Sequence, residues 1–181
     1  MNKFPRSAYV HIPFCHRRCF YCDFAVIPMG DNIQPINGNG SNTVKEYLHF
    51  LHKEILSIKH KSPLSTIYLG GGTPSILDPQ QIRDLINLFR DNYGIDYGAE
   101  ITMEVDPASF NEDELYGFIS AGINRFSLGV QSFNNHILKN AGRRHSREDS
   151  EKSCSWLKKT YDLGLIKSWS LDLIQNLPLS G

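Results

Sequence analysis

The alternation of strand-like and helix-like segments predicts an α/β fold. Its parallel sheet has about five strands and right-handed crossovers, forming an incomplete TIM-like barrel. Three observations carry this expectation. Five short apolar runs are separated by longer segments of helical spacing. Each helical segment opens on a residue suited to capping it. Chemically loaded residues recur just past the carboxyl end of each strand-like run, where parallel α/β folds place their ligands.

Taken in order, Ala8–Pro13 is an apolar strand leading straight into a cysteine-rich loop. The stretch 30–42, rich in Asn and Gly, reads as a flexible surface loop. Thr43 and Glu46 form a capping-box pattern ahead of Tyr47, Leu51, Ile55 and Ile58 at helical spacing. Thr66–Leu69 is the second strand. Asp78-Pro79 then caps a helix whose apolar face is Ile82, Leu85, Ile86, Phe89 and Tyr93. Ile101–Val105 is the third strand, followed by a helix from Asn111, with Glu114 three residues on, to just before Gly122. Asn124–Val130 is the fourth strand. Ser146 opens a helix running to about Gly164, with Cys154, Leu157 and Tyr161 on one face, and Trp169–Ile174 is the fifth strand. Cys154 reads as a small core residue rather than a ligand. The chain stops a few residues after this last strand, leaving an unpaired edge, a liability that suggests a truncated or fragmentary product.

Composition excludes several classes. The 181 residues suit one domain over 1–181, and 40% hydrophobic with 21% charged residues reads as a soluble globular chain. Lys plus Arg and Asp plus Glu both number 19, so no overall field draws it to nucleic acid or to a membrane surface. No apolar run approaches the roughly 20 residues of a membrane span, and Met1–Tyr9 resembles neither a signal nor a transit peptide. Reduced cysteines fit the cytoplasm or an organelle interior.

Cys15, Cys19 and Cys22 crowd three soft thiolate ligands into eight residues. Structural zinc would want four Cys or His ligands. His11 and His16 lie near enough to contribute, but no second Cys pair follows. Three cysteines plus a distant Cys154 suit no disulfide framework. His16, Arg17 and Arg18 make the loop basic, which suits thiolates over inert buried thiols. An iron–sulfur cluster prefers thiolate on every iron, so three ligands on a four-iron cube leave one iron open to a second molecule.

The other loaded positions each have a plainer reading. Gly70-Gly71-Gly72-Thr73-Pro74 lets a backbone approach a ligand, yet a glycine run is often only a tight turn. Glu104 alternates with Met103 and Val105 and could face solvent; Asp106 follows on the same strand. Asp172, between Leu171 and Leu173, would need a partner if buried. Arg143 could belong to a solvated basic turn with Arg144 and His145. What lifts these residues, with Gln131 at the end of strand four, is their shared place at one sheet edge.

Several motifs resemble one family. Cys15-x3-Cys19-x2-Cys22, with Tyr21 inside it, is similar to the cluster motif of the radical S-adenosylmethionine (SAM) superfamily. More narrowly, Tyr9–Cys15, Gly70–Ser75, Glu104–Pro107, Ser127–Phe133, Gly142–His145 and Asp172–Ile174 resemble the HemN/HemW family of oxygen-independent coproporphyrinogen III dehydrogenases and related heme chaperones. The likeness runs in order from Tyr9 to the end of the chain.

The resemblance implies a radical-SAM barrel domain in which Cys15, Cys19 and Cys22 bind three irons of a [4Fe–4S] cluster and SAM chelates the fourth. By position it implies SAM contacts at Tyr9, Tyr21, Gly71, Gly72, Thr73, Glu104, Gln131, Arg143 and Asp172. Among these, Gly71, Gly72 and Thr73 would hold the methionine end, Arg143 would pair with the carboxylate, and Tyr21 would lie near the adenine. It also implies one-electron cleavage of the SAM sulfonium to a radical that abstracts a substrate hydrogen. On this resemblance the protein's part would be to tune the cluster and keep the radical dry.

Two departures bear on the branch. Dehydrogenases of the family carry another cysteine two residues after the third and a longer N-terminal segment. Here Asp23-Phe24 follow Cys22 and eight residues precede Tyr9, so the heme chaperone is favoured over coproporphyrinogen decarboxylation. Relatives continue through a sixth strand and a C-terminal domain, so reduced stability is expected of this chain, with an inactive truncated fragment as a further alternative. Heme or a porphyrinogen, an electron donor such as a flavodoxin or ferredoxin, and acceptor hemoproteins are the implied partners. His11, His16 and His145 are candidate heme ligands, His11 also a structural one and His145 also a plain solvent-facing one.

Overall fold

The computed structural model describes residues 4–30, 41–58 and 62–177. Strand β1 (Ser7–Ile12) runs into the cysteine loop, which carries two short strands, β2 (Phe14–Cys15) and β3 (Ile27–Pro28). Then come α1 (Ser41–Ser57), β4 (Leu64–Gly71), a 3₁₀ turn (Pro74–Ile76), α2 (Pro79–Tyr93) and β5 (Ile95–Val105). Helix α3 (Glu112–Ala121), β6 (Arg125–Gln131), α4 (Asn135–Asn140), α5 (Arg147–Asp162) and β7 (Ser168–Leu173) complete the order.

The main sheet has the order β1-β4-β5-β6-β7, and every neighbouring pair is parallel. Spatial order follows chain order, so each crossover advances the sheet by one strand, which is how a (β/α) barrel is wound. Among the described residues the sheet is not closed: β1 and β7 are its edges. The predicted incomplete barrel is therefore the observed fold.

Three of the four predicted caps are present as complete capping boxes: Asp78 with Gln81, Asn111 with Glu114, and Ser146 with Asp149. In each, two backbone donors orphaned at a helix start are satisfied reciprocally. Gly122 stops α3 at φ +113, a left-handed conformation that favours glycine. The fourth prediction is corrected. Helix α1 already includes Ser41 and Asn42, so Thr43 lies inside it, and Ile58 falls just past its end and is exposed. Residues 31–40 of the predicted loop lie outside the described residues. The turn Pro74–Ile76 and the short α4 are elements the sequence reading did not anticipate.

The two faces of the sheet differ. On one, Ile67, Leu69, Ile101, Met103, Val105, Phe126, Leu128 and Val130 are buried in a continuous core with Ile82, Ile86, Leu115, Phe118 and Leu157 from the helices. Cys154 packs against this core from α5, as expected of a small apolar residue, whereas Tyr161 is half exposed and does not join it. On the other face the alternate residues carry polar side chains, which lead to the cleft.

Candidate functional site: a cleft beyond the carboxyl ends of the strands

A single concavity gathers Cys15, Cys19, Tyr21, Cys22, Gly71, Gly72, Thr73, Glu104, Gln131, Arg143 and Asp172. Eleven of the twelve sequence-predicted site residues therefore share one wall. The exception is Tyr9, which stacks on Tyr68 with ring centroids 5.9 Å apart, is largely exposed and does not line the cleft. It stands near the end of β1 that enters the sheet, several residues before the carboxyl end where the loop begins.

The cysteine loop is pinned to the sheet by its backbone. The short β2–β3 pair closes its base. The Gly72 and Thr73 amides donate to the carbonyls of Ile12 and Phe14 at 2.8 Å each, and the Phe20 amide donates to Ala141 O at 3.0 Å. All three loop cysteines are free and half-buried. Thr73 Oγ1 lies 3.5 Å from Cys15 Sγ. Burial pushes the Cys15 thiol up, and Cys19, Cys22 and Asp106 add to that against the Thr73 hydroxyl. The Cys15 thiol, so placed, resists ionising unless a cation compensates it. Among the described residues no three His, Cys, Asp or Glu groups gather tightly enough for a single metal ion. Thiolates that each bind a different iron of a cube have no need to.

Glycines let the second loop come close. A Cβ on Gly72 would stand 2.6 Å from Phe14 O and 3.0 Å from Cys15 Sγ. Gly71, at φ +114, would press a Cβ into the His11 ring at 2.6 Å. The glycine run is therefore required by close approach as well as by the turn.

Glu104 is not on a solvated face. Its carboxylate accepts from Tyr68 Oη at 2.7 Å and from the Gly71 amide at 3.0 Å, which ties β4 and its loop to β5. Burial and that hydrogen bond push the Tyr68 phenol up, so it stays a donor. Asp172, on the edge strand β7, is exposed, and its carboxylate accepts from Ser127 Oγ at 3.0 Å. Gln131 ends β6 at φ +65, a conformation rare for a residue with a side chain.

Arg143 departs most from the simple expectation of a solvated turn. Its side chain is only 11% exposed. Nη2 is paired with Asp106 Oδ2, donates to Gly129 O at 2.7 Å, and lies 3.3 Å from His145 Nδ1. Nη1 points to Cys19 Sγ at 3.6 Å and Tyr21 Oη at 3.5 Å. Burial opposes the charge on Arg143, but Asp106 outweighs it and holds the guanidinium protonated. Nε is buried with no hydrogen-bond partner among the described residues. The basic group beside the thiols thus comes from a turn more than 120 residues away, while the loop's own Arg17 and Arg18 are exposed.

Asp106 is the site residue that sequence reasoning underrated. Its amide donates to Ser75 Oγ at 3.2 Å, its carboxylate caps the Ala108 amide at 3.1 Å, and Ser109 Oγ donates to its carbonyl at 2.8 Å. The signal was present: Asp106-Pro107 directly follows β5 at the sheet edge already singled out.

The histidines sort themselves by position. His145 is 3% exposed, not solvent-facing; Nε2 donates to Val130 O at 3.0 Å, leaving Nδ1 to face Arg143. Burial lowers its pKa, with Asp106 opposing. His11 meets Ala25 O at 2.9 Å and Tyr9 Oη at 3.2 Å. Both have their ring nitrogens engaged within the chain, and His16, which lines the cleft, has its Nδ1 3.3 Å from Gly30 O.

Among the described residues no helix is long and apolar enough to cross a membrane. A family model described as the Radical SAM superfamily matches residues 9–166. A heme chaperone HemW from Synechocystis sp. is 41% identical over 175 residues, covering 96% of this chain and 40% of the relative. An oxygen-independent coproporphyrinogen III oxidase from Salmonella typhimurium is 36% identical over 180 residues, covering 96% and 36%. The solved coproporphyrinogen III oxidase HemN from Escherichia coli, described as a radical SAM enzyme, superposes with a TM-score of 0.80 at 32% identity. That superposition covers 97% of this chain and 38% of the other. The chain thus spans about two fifths of the length of these relatives.

Proposed function

The chain belongs to the radical SAM superfamily, and from that premise we propose that it binds a [4Fe–4S] cluster and SAM in this cleft and handles heme as HemW-type chaperones do. Cys15, Cys19 and Cys22 would hold three irons, with the fourth left to SAM. The observation that carries this reading is the convergence of Cys15, Cys19 and Cys22 with Gly71, Gly72, Glu104 and Arg143 on one cleft wall. The glycine at 72 supports the fit, since any side chain there would fill the space beside Cys15 Sγ.

When bound, the two groups supply one-electron cleavage of a sulfonium carbon–sulfur bond. The residues of the chain have simpler tasks. Glu104 and Asp172 present carboxylates to cationic and hydroxyl groups of the ligand, and Gln131 offers an amide beside them. Gly71, Gly72 and Thr73 supply close backbone, and Tyr21 covers the site from the loop. Delivery of heme to acceptor hemoproteins, with a flavodoxin or ferredoxin as electron donor, is the activity proposed for the protein. Asp23-Phe24 after Cys22, where dehydrogenases of the resembled family carry a further cysteine, favours the chaperone. The likeness to the coproporphyrinogen III oxidases supports the second reading, oxidative decarboxylation of coproporphyrinogen III.

Anaerobic iron–sulfide reconstitution tests the core of this. The dithionite-reduced chain is expected to show an axial [4Fe–4S]⁺ EPR signal that SAM perturbs. No cluster, or one indifferent to SAM, would overturn the reading. Cys19→Ser should lose iron while Cys154→Ser retains it in full. Stoichiometric heme binding without turnover identifies the chaperone; 5′-deoxyadenosine formed with decarboxylated porphyrinogen identifies the dehydrogenase.

A further inference from the structure

The cleft contains one contact that SAM binding does not explain. Arg143 Nη1 lies 3.6 Å from Cys19 Sγ, within reach of a hydrogen bond to sulfur. The direction is imposed, because Nη2 is held by Asp106 and by Gly129 O at 2.7 Å, which fixes the plane of the fork and turns Nη1 toward the loop. Asp106 is itself immobilised by Ser75, Ala108 and Ser109. The guanidinium therefore cannot swing to the ligand with both amino groups.

We propose that Arg143, aimed by Asp106, donates to the Cys19 thiolate and makes the cluster held by that thiolate easier to reduce. Hydrogen bonds to cluster sulfurs and local charge are among the factors that set a cluster's potential. A positive charge and a donated proton act in the same direction here, since both stabilise the more negative, reduced state. The site is also partly buried, with Arg143 11% exposed, so the charge is weakly screened. The same side chain then has two ends with two tasks: Nη1 on the cluster ligand and Nη2 on the Asp106 anchor. Arg143 is in this respect a tuning residue, and Asp106 a positioning residue that acts through it.

This inference rests on Cys19 being a cluster ligand, and the test separates the two. The 181-residue chain and its Arg143→Gln and Arg143→Lys variants are reconstituted anaerobically without SAM. Iron content is measured, and each is titrated with reductant while EPR follows the reduced signal. Arg143→Gln loses the charge and, with a shorter amide in place of the fork, the reach to Cys19, and should be at least tenfold harder to reduce, a midpoint lower by about 59 mV for one electron. Arg143→Lys keeps the charge but not the fork, and should fall in between. Equal or higher midpoints in both variants would overturn the proposal while leaving the cluster assignment intact. Failure of the unmodified chain to assemble a cluster would overturn the assignment instead. Loss of iron from both variants would make Arg143 a structural clamp on the loop, and the tuning role would fall.

Discussion

Neighbouring residues of the central strands belong to two different regions. On β6, Phe126, Leu128 and Val130 are fully buried against the helices, while Ser127, Gly129 and Gln131 line the cleft. On β5, Met103 and Val105 pack inward as Glu104, and Asp106 just past the strand, reach the site. One face is held by dispersion and the hydrophobic effect, the other by directional contacts among polar groups that are only half shielded from water. The contrast teaches that stability and chemistry are carried by alternate residues of the same strands, so each can be perturbed with little direct effect on the other.

The comparison is broken most severely from the core side. Phe126→Ala should lower unfolding stability by roughly 3–5 kcal/mol in a denaturant titration, the cost of a large cavity in a packed layer. Asp106→Asn removes the charge opposite Arg143 and should cost roughly 2–3 kcal/mol, less than for a fully buried pair because Asp106 is 21% exposed. Asn111→Ala, which removes a capping box at the start of α3, should cost about 1 kcal/mol. Ser127→Ala, beside Phe126 in sequence but on the cleft face, should cost no more than about 1 kcal/mol. If Ser127→Ala proved as damaging as Phe126→Ala, the division of labour between the faces would be wrong.

The gentlest probe is pH. Burial holds the His145 imidazole below its ordinary value, with Asp106 opposing, so the unfolded chain binds more protons in the acidic range. Its stabilising contribution is complete above the unfolded value of about 6.5 and fades as pH falls through it. Denaturant titrations at pH 7.5 and 5.5 should therefore show a smaller acid loss for His145→Gln than for the parent chain. An equal loss would mean that His145 is not held neutral.

Much of the fold was legible because local rules agree with it. Three capping boxes, the apolar stripe Ile82–Leu85–Ile86–Phe89 and five apolar runs each follow from short-range preferences that the tertiary structure had no reason to override. The first helix was misjudged because a Thr-x-x-Glu pattern satisfies the capping rule equally well inside a helix. The cysteine loop and the glycine run were legible as chemistry, since three thiols in eight residues have few other uses. Tyr9 was placed with them on resemblance, and the stack on Tyr68 keeps it off the cleft wall.

What the linear order could establish was which residues exist at the carboxyl ends of strands and which chemistry they are suited to. What it could not establish was who partners whom. That Arg143 meets Cys19 across 124 positions, that Asp106 takes its fork, and that Glu104 is claimed by Tyr68 and Gly71 are consequences of parallel register. Register is set by which side chains interlock between strands and helices, a long-range property of packing. The electrostatics of the cleft then follow from burial and distance, quantities that come into being only when the sheet is assembled.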